Sequence, residues 1–370
     1  MNDIIRIGIV GLGFIGSHHA SCVKELPQCR LSAVCDVNSK ALEPYEKEGI
    51  ECFSDPEEFF RSGSVDAVII AMPHYAHVRL AVSALRHGLH VLVEKPLAVR
   101  KSEAELLVGE AQKHPGLKAG VMFCLRRIPA HIRLKQLLES GELGRVRRIN
   151  WITTKHFRTQ GYYDSGAWRG TWKGEGGGLL LNQCHHQLDL LQWFFGMPER
   201  VSARLLFGKY HHIEVEDEVS ALLEYPVGTT GIFVASTGEA PGTNRLEIAA
   251  DRGRVLLEDE SLVFLRNEIP VTEYIRTGRL PMEPPPVWKI GIPATGINPA
   301  MHREVIGNFA DAILYGTELF SPVEEGLRAL ELENAMLLSQ LKNTTLSLPL
   351  DNNAFDMAFD SLLRPAKTQG

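Results

Sequence analysis

No stretch of this 370-residue chain is apolar for long enough to cross a bilayer; the longest runs, such as Val65–Met72, are of strand length. Basic residues are not in excess either. Its 39 Lys and Arg stand against 45 Asp and Glu, a formal net charge of −6. With no basic stripe or polybasic tail, neither nucleic acid nor an anionic membrane surface is an expected partner. Paired cysteine spacing is missing: Cys22, Cys29, Cys35, Cys52, Cys124 and Cys184 are scattered, and several fall in expected strands or helices, where a reduced thiol fills volume. No charged run, apolar stretch and cleavage site precede the first expected strand at Ile4–Val10, so the cytoplasm is the expected compartment. Internal repeats and low-complexity segments are also missing, apart from the last few residues. What is left is a globular composition, 44% hydrophobic and 23% charged, in a chain too long for one core. Two domains are expected.

As far as about residue 125, short apolar runs alternate with helix-length amphipathic stretches. The runs Ile4–Val10, Leu31–Asp36, Val65–Ala71, His90–Glu94 and Lys118–Phe123 are nearly continuous hydrophobics, as parallel strands covered on both faces require. Asp55-Pro56-Glu57-Glu58 combines an N-cap, a proline at the first helical position and early acids, and Ser102-x-x-Glu105 is a capping-box candidate. Strand and helix in repeated alternation predict an α/β fold, a doubly wound parallel sheet over residues 1–125. From residue 126 to 370 the rhythm changes. A helix at Ala130–Ser140, an extended run at Val146–Thr154, a Gly/aromatic loop at Gly161–Gly178 and a helix at Leu179–Phe195 precede alternating strands from Val201 to Leu265. Pro281–Gly296 reads as an exposed loop, and helices at Met301–Tyr315 and Val323–Leu341 close the chain. This second domain is expected to be α+β with a large mixed or antiparallel sheet, its closing helices able to pack back on the first domain.

Gly11-Leu12-Gly13-Phe14-Ile15-Gly16 follows the first strand directly and opens a helix. The first glycine permits the tight turn, the second lets the backbone approach a pyrophosphate, and the third lets helix pack on strand. Backbone N–H groups at the helix start then face the phosphates. Asp36 ends the second strand, where its carboxylate accepts hydrogen bonds from adenosine ribose hydroxyls and repels a 2′-phosphate. The pattern is a Rossmann dinucleotide fingerprint. NAD is the expected cofactor, with NADP open if a nearby basic residue accommodates the extra phosphate.

Glu94-Lys95-Pro96 follows the strand at His90, at the carboxyl edge where open α/β sheets place ligands, and Met72-Pro73 follows the strand before it. With the glycine fingerprint these residues resemble the glucose–fructose oxidoreductase/inositol dehydrogenase/MocA family. Trp168-Arg169, then Gly176-Gly177-Gly178, resemble that family's loop before its active-site helix, and Asn182-x-x-x-His186-x-x-Asp189 resembles its Asp-x-x-x-His-x-x-Asp pattern. The resemblance covers nearly the whole chain. It implies an open sheet in the second domain that packs against its counterpart in a homodimer or homotetramer.

The chemistry of the residues agrees with it. Alcohol oxidation needs a hydride acceptor, a group to take the hydroxyl proton, and donors for charge on the oxygen. Lys95 lies where the nicotinamide end of the cofactor is expected, and burial beside a cationic ring would lower its pKa. His186 is the second candidate, as base or proton relay. Asn182 stands one turn earlier on the same face; its oxygen orients an imidazole but offers no charge. Where the family usually has an aspartate, this departure shifts weight to Lys95. Asp189 is an alternative orienting group.

Cofactor contacts are expected from Gly11, Gly13, Phe14, Ile15, Gly16, Asp36, Met72, Pro73, His74, His77, Glu94, Lys95, Trp168 and Arg169. A polyol site is expected to draw on Lys95, Arg126, His156, Tyr162, Tyr163, Asn182, His185 and His186, since sugar sites favour aromatic faces with hydrogen-bonding groups. His185-His186 and His211-His212 have no ligand spacing, so no metal is expected. Three functions follow. The first is an NAD-dependent dehydrogenase acting on a secondary ring hydroxyl of a sugar, sugar derivative or cyclitol. The second uses bound NAD for transient oxidation, elimination of a glycosidic substituent and re-reduction. The third is a non-catalytic NAD sensor.

Overall fold

Six strands, β1 (Ile5–Val10), β2 (Cys29–Cys35), β3 (Glu51–Phe53), β4 (Ala67–Ile70), β5 (His90–Val93) and β6 (Ala119–Val121), form a sheet in the order β3-β2-β1-β4-β5-β6. Every pairing is parallel. The computed structural model describes residues 4–259, 261–294, 296 and 298–364. Strand β4 is buried throughout, which is why Ala67–Ile70 carries no alternation. Strand order reverses between β1 and β4, and at such a switch point the loops after the two strands leave room for a ligand. The core joins Ile7, Ile9, Val34, Ile69 and Leu92 to Ile306 and Phe309 of the helix Met301–Tyr315. Residues 4–127 and 299–330 therefore form one compact unit, in two pieces of chain.

A second unit takes residues 128–298 and 331 onward. Its nine strands run in spatial order Val287–Ile292, Ser261–Asn267, Gly253–Glu258, Asn244–Ala250, Val146–Thr153, Thr230–Ser236, Glu216–Glu224, Arg200–Phe207 and Leu346–Ser347. Thr230–Ser236 pairs parallel with Val146–Thr153 and the other pairs are antiparallel, so the sheet is mixed. Alternation along these strands gives two unlike faces. Trp151, Phe233 and Ile248 are buried, while Ile152 and Ile232 are open to solvent.

The expected architecture is present, with local differences. Strand β3 is three residues long and too short to register as a hydrophobic run. Asp55 caps its helix through a 2.8 Å bond from the Glu58 amide, but Ser102 lies inside a helix that already begins at Lys101. The expected loop at Pro281–Gly296 contains the strand Val287–Ile292. It is an edge strand, exposed on both faces, so its apolar residues carry no inward period. A closing helix, Asn352–Leu362, was not expected. Its signals are short: Asp351 accepts from the amides of Asn353 and Ala354, and Phe355 and Phe359 are buried. The helix expected at Leu179–Phe195 divides into a π-helical turn, Leu179–Gln183, and the α-helix His185–Phe195.

Candidate active site

The glycine loop is built as the fingerprint requires. Gly11 has φ +92°, and a Cβ there would lie 2.5 Å from the Ala71 carbonyl oxygen; a Cβ on Gly16 would lie 1.8 Å from that of Gly11. Both glycines are demanded by the fold itself. Gly13 is different, because a Cβ there would meet nothing within 4 Å. No acidic side chain occupies the first turn of the helix Phe14–Lys24 and none caps it, so its N–H groups and dipole are available to an anion. Asp36 braces the loop, accepting from the Leu12 amide at 2.7 Å and the Asn38 amide at 2.8 Å. Phe14 projects outward, 94% exposed. These features fit a bound dinucleotide: room at Gly13, an unneutralised helix start, and a carboxylate at the end of β2.

Lys95 is the only residue from Val91 to Val99 that is not buried. The reason lies beneath it. Glu94 points inward, accepting from His19 Nε2 at 2.6 Å through one oxygen and from the Lys95 amide at 3.0 Å through the other. Burial alone would raise the Glu94 carboxyl, but the His19 hydrogen bond and the nearby His19 and Lys95 charges outweigh it and hold it below the usual range. Glu94 is thus a brace for the Lys95 loop, where the sequence pointed to a cofactor contact. His77 is corrected in the same way. It is fully buried, with Nδ1 2.7 Å from the Pro96 carbonyl and Nε2 2.6 Å from the Met72 carbonyl. Burial pushes its pKa down while the two carbonyls oppose that shift, and the ring sits between the loop after β4 and the loop after β5. Pro73 stands open beside it, with Met72 and His74 half-buried. Arg126, expected among the substrate contacts, is instead 2% exposed, bonded to the Phe320 carbonyl at 2.7 Å and paired with Glu325.

The second unit shows the same pattern. From Leu179 to Gln192 every residue is buried except Asn182 and His186. Four residues make about one turn in either π or α geometry, so both open positions lie on one face. His185 is fully buried, a correction to its place among the substrate contacts, because neighbouring residues on a helix point apart. Asp189 is also buried and accepts from Gln192 Nε2 at 3.0 Å, which is helix packing. Tyr162 is the hub of the aromatic loop. Its hydroxyl accepts from Arg169 Nη1 at 2.7 Å and lies 3.4 Å from both Asn182 Nδ2 and Gln183 Nε2. The Arg169 guanidinium stacks 4.5 Å from the Tyr162 ring and 4.4 Å from that of Trp168. Tyr163 is buried against His211, and burial pushes its hydroxyl up to about 12. It is a packing residue. His156 is half-buried, 3.3 Å from the Thr153 hydroxyl.

Residues 5–121 match the oxidoreductase family with an NAD-binding Rossmann fold, and residues 131–256 match the GFO/IDH/MocA C-terminal domain. The chain belongs to the Gfo/Idh/MocA oxidoreductase family. Among its relatives, myo-inositol 2-dehydrogenase of Thermotoga maritima is 26% identical over 71% of this chain and 79% of its own length. The NAD(+)-dependent scyllo-inositol 2-dehydrogenase of Bacillus subtilis is 27% identical over 70% and 75%. The WlbA dehydrogenase of Bordetella pertussis, solved with NADH and UDP-GlcNAcA, superimposes with a TM-score of 0.79 at 27% identity, covering 94% of this chain and all of the other. This family member is an NAD-binding oxidoreductase. Sequence reasoning passed over three of its buried acids, Glu175, Glu216 and Glu333. The signal for Glu175 was an acid placed directly before three glycines.

Proposed function

We propose that the chain oxidises a secondary ring hydroxyl of a sugar, sugar derivative or cyclitol with NAD. The observation that carries this reading is that Lys95, and Asn182 with His186, are the open positions in two otherwise buried stretches that follow the fingerprint and the triple glycine. Polar side chains are exposed there at a cost in packing, which chemistry explains better than folding does. When bound, the nicotinamide supplies the hydride acceptor. Gly11–Gly16 and Asp36 hold the dinucleotide's phosphates and ribose, and the Asp36 carboxylate favours NAD over NADP. The Lys95 ammonium donates to the reacting oxygen and steadies its developing charge, while His186 takes the hydroxyl proton. Asn182 and Tyr162 orient the polyol. The relatives' names, inositol dehydrogenases and an enzyme bound to a nucleotide sugar, support a polyhydroxylated ring as substrate. The open face of the nine-stranded sheet is assigned to a second copy of the chain, and the cytoplasm to the compartment.

Purified protein is incubated with NAD, and separately NADP, against a panel of inositols, aldoses, anhydrosugars and glycosides while reduced nicotinamide is followed by absorbance. Net reduction with NAD on at least one cyclic polyol is expected, and Lys95→Ala should lower kcat by roughly 10²–10⁴-fold. Cleavage of glycosides without net reduced cofactor would move the assignment to redox-assisted elimination. Silence across the panel with NAD-loaded, folded protein would reject it.

A further inference from the structure

Glu175 is 1% exposed and its two oxygens have separate partners in the second unit. Oε2 accepts the Gly170 amide at 2.7 Å, and Oε1 accepts Asn182 Nδ2. An ionised carboxylate accepts and cannot donate, so only the amide nitrogen of Asn182 can face it. Of the two orientations open to an asparagine amide, one is therefore selected, with Oδ1 turned to the opposite side. The loop leaves Glu175 little freedom. A Cβ on Gly174 would lie 2.5 Å from the Trp168 carbonyl oxygen, and one on Gly178 would lie 2.3 Å from that of Glu216. Close backbone approach on both sides of the acid holds it under Asn182.

We infer that Glu175 is a positioning carboxylate for this site, fixing the Asn182 amide so that its oxygen is an acceptor on the face that carries His186. The inference rests on the reading of Asn182 and His186 as parts of the oxidation machinery. In that oxidation the carbon–hydrogen bond breaks with its electron pair passing as hydride to NAD, the hydroxyl proton goes to the base, and a ketone is left. A neutral amide brings no charge to the step. The carboxylate bonded to it does, and favours an imidazole that gains a proton. Glu175 acts through Asn182 and touches no substrate.

The test uses kcat, KM for NAD and thermal denaturation of the wild type, Glu175→Gln, Asn182→Asp and the double variant, with the polyol found most active in the panel. In Glu175→Gln, the new side chain keeps the Gly170 bond with its oxygen and presents an N–H to residue 182. Asn182 must then flip, placing a donor where the acceptor stood. A fall in kcat of about tenfold or more is expected, with KM for NAD changed by less than about twofold. The double variant exchanges carboxylate and amide, so every bond is satisfied and the charge returns at position 182. Its kcat should recover to within about threefold of the wild type. Asn182→Asp alone sets two carboxylates against each other and should be worse than the double variant. The inference is overturned if folded Glu175→Gln keeps its kcat within about twofold, or if the exchange restores nothing. Should Glu175→Gln fail to fold, equal kcat for Asn182→Asp and the double variant overturns it instead. Lys95→Ala and His186→Ala are measured alongside. An inactive wild type defeats the oxidation reading, and full activity in both variants defeats the roles given to Lys95 and His186; either takes the role of Glu175 with it, whereas an active wild type with impaired Lys95→Ala and His186→Ala but an insensitive Glu175→Gln defeats this inference alone.

Discussion

A Cβ on Gly16 would stand 1.8 Å from the carbonyl oxygen of Gly11, whereas one on Gly13 would meet nothing within 4 Å. Two glycines of one fingerprint thus answer to different constraints, and their substitutions should separate. Gly16→Ala is expected to destabilise the fold by several kcal/mol (roughly 2–4), because backbone must move to admit the methyl group. Gly13→Ala should melt within about a degree of the wild type yet bind NAD at least about tenfold more weakly, as a methyl group keeps the backbone from the pyrophosphate. Calorimetric melting and NAD titration of the two variants check this; equal losses of stability would contradict it. At this scale much of the candidate site was legible. Gly11, Gly13, Gly16, Asp36, Lys95, Asn182 and His186 all stood in patterns whose chemistry has few other uses. The burial of His77, Glu94, Arg126 and His185 was not legible, because it depends on contacts distant in sequence. His77 needs Pro96, Glu94 needs His19, and Arg126 needs Glu325. Spacing alone does not reveal such partners.

The elements that carry the second unit's candidate residues rest on buried acids. Glu216 accepts the Gly178 amide at 3.1 Å and the Leu180 amide at 2.9 Å, the start of the π-helical turn, and burial raises its pKa to about 7 despite those bonds. Glu333, on the helix Val323–Lys342, is raised well above its usual range by burial and by Glu216. Both acids hold protons in the folded chain at pH values where the unfolded chain has released them, so stability falls as pH rises above about 4.5 and toward 7. Below that window the two states carry the same protons and the effect vanishes. Glu333→Gln keeps an acceptor for Asn334 and removes one of the acids. It should gain stability over the wild type at pH 8 by an amount on the order of 1 kcal/mol, and little at pH 4. Denaturant titrations at both pH values decide; a gain independent of pH would refute the account. Elements were legible where period and length agreed, as at Met301–Tyr315. They were not legible at β3, too short to show a period, nor at Val287–Ile292, which has no buried face. The π-helical turn also lay beyond reach, because its start at Gly178 depends on Glu216, 38 residues away in sequence.

For the whole molecule, the open face of the nine-stranded sheet matters most. Ile232 pairs with Leu222 and Val234 with Ile152, so these side chains form one apolar strip, with Ile152, Leu222 and Ile232 between 39% and 44% exposed. Arg148, Arg245 and Arg254 flank it around Glu247, whose carboxyl they hold below its usual range. An apolar centre with a charged border is the anatomy of an interface. Leu222→Arg combined with Ile232→Asp is expected to convert a dimer or tetramer to monomer in light scattering, with the melting of each copy little changed. Monomeric wild-type protein would overturn that assignment. Domain class and the dinucleotide fold were legible along the whole chain, because strand–helix alternation is a repeated signal. That the closing helices could pack back on the first unit was legible too, but the bounds of the returning piece, residues 299–330, were not, since they depend on Ile306 and Phe309 finding Ile9 and Ile69. The central claim concerns one atom, the hydrogen on the ring carbon that bears the reacting hydroxyl. The most active polyol, deuterated at its ring carbons, is turned over once with NAD, and the dinucleotide is examined by mass spectrometry. One deuterium on each reduced nicotinamide is the predicted result; reduced nicotinamide without label, or none formed, with the polyol consumed, would contradict it.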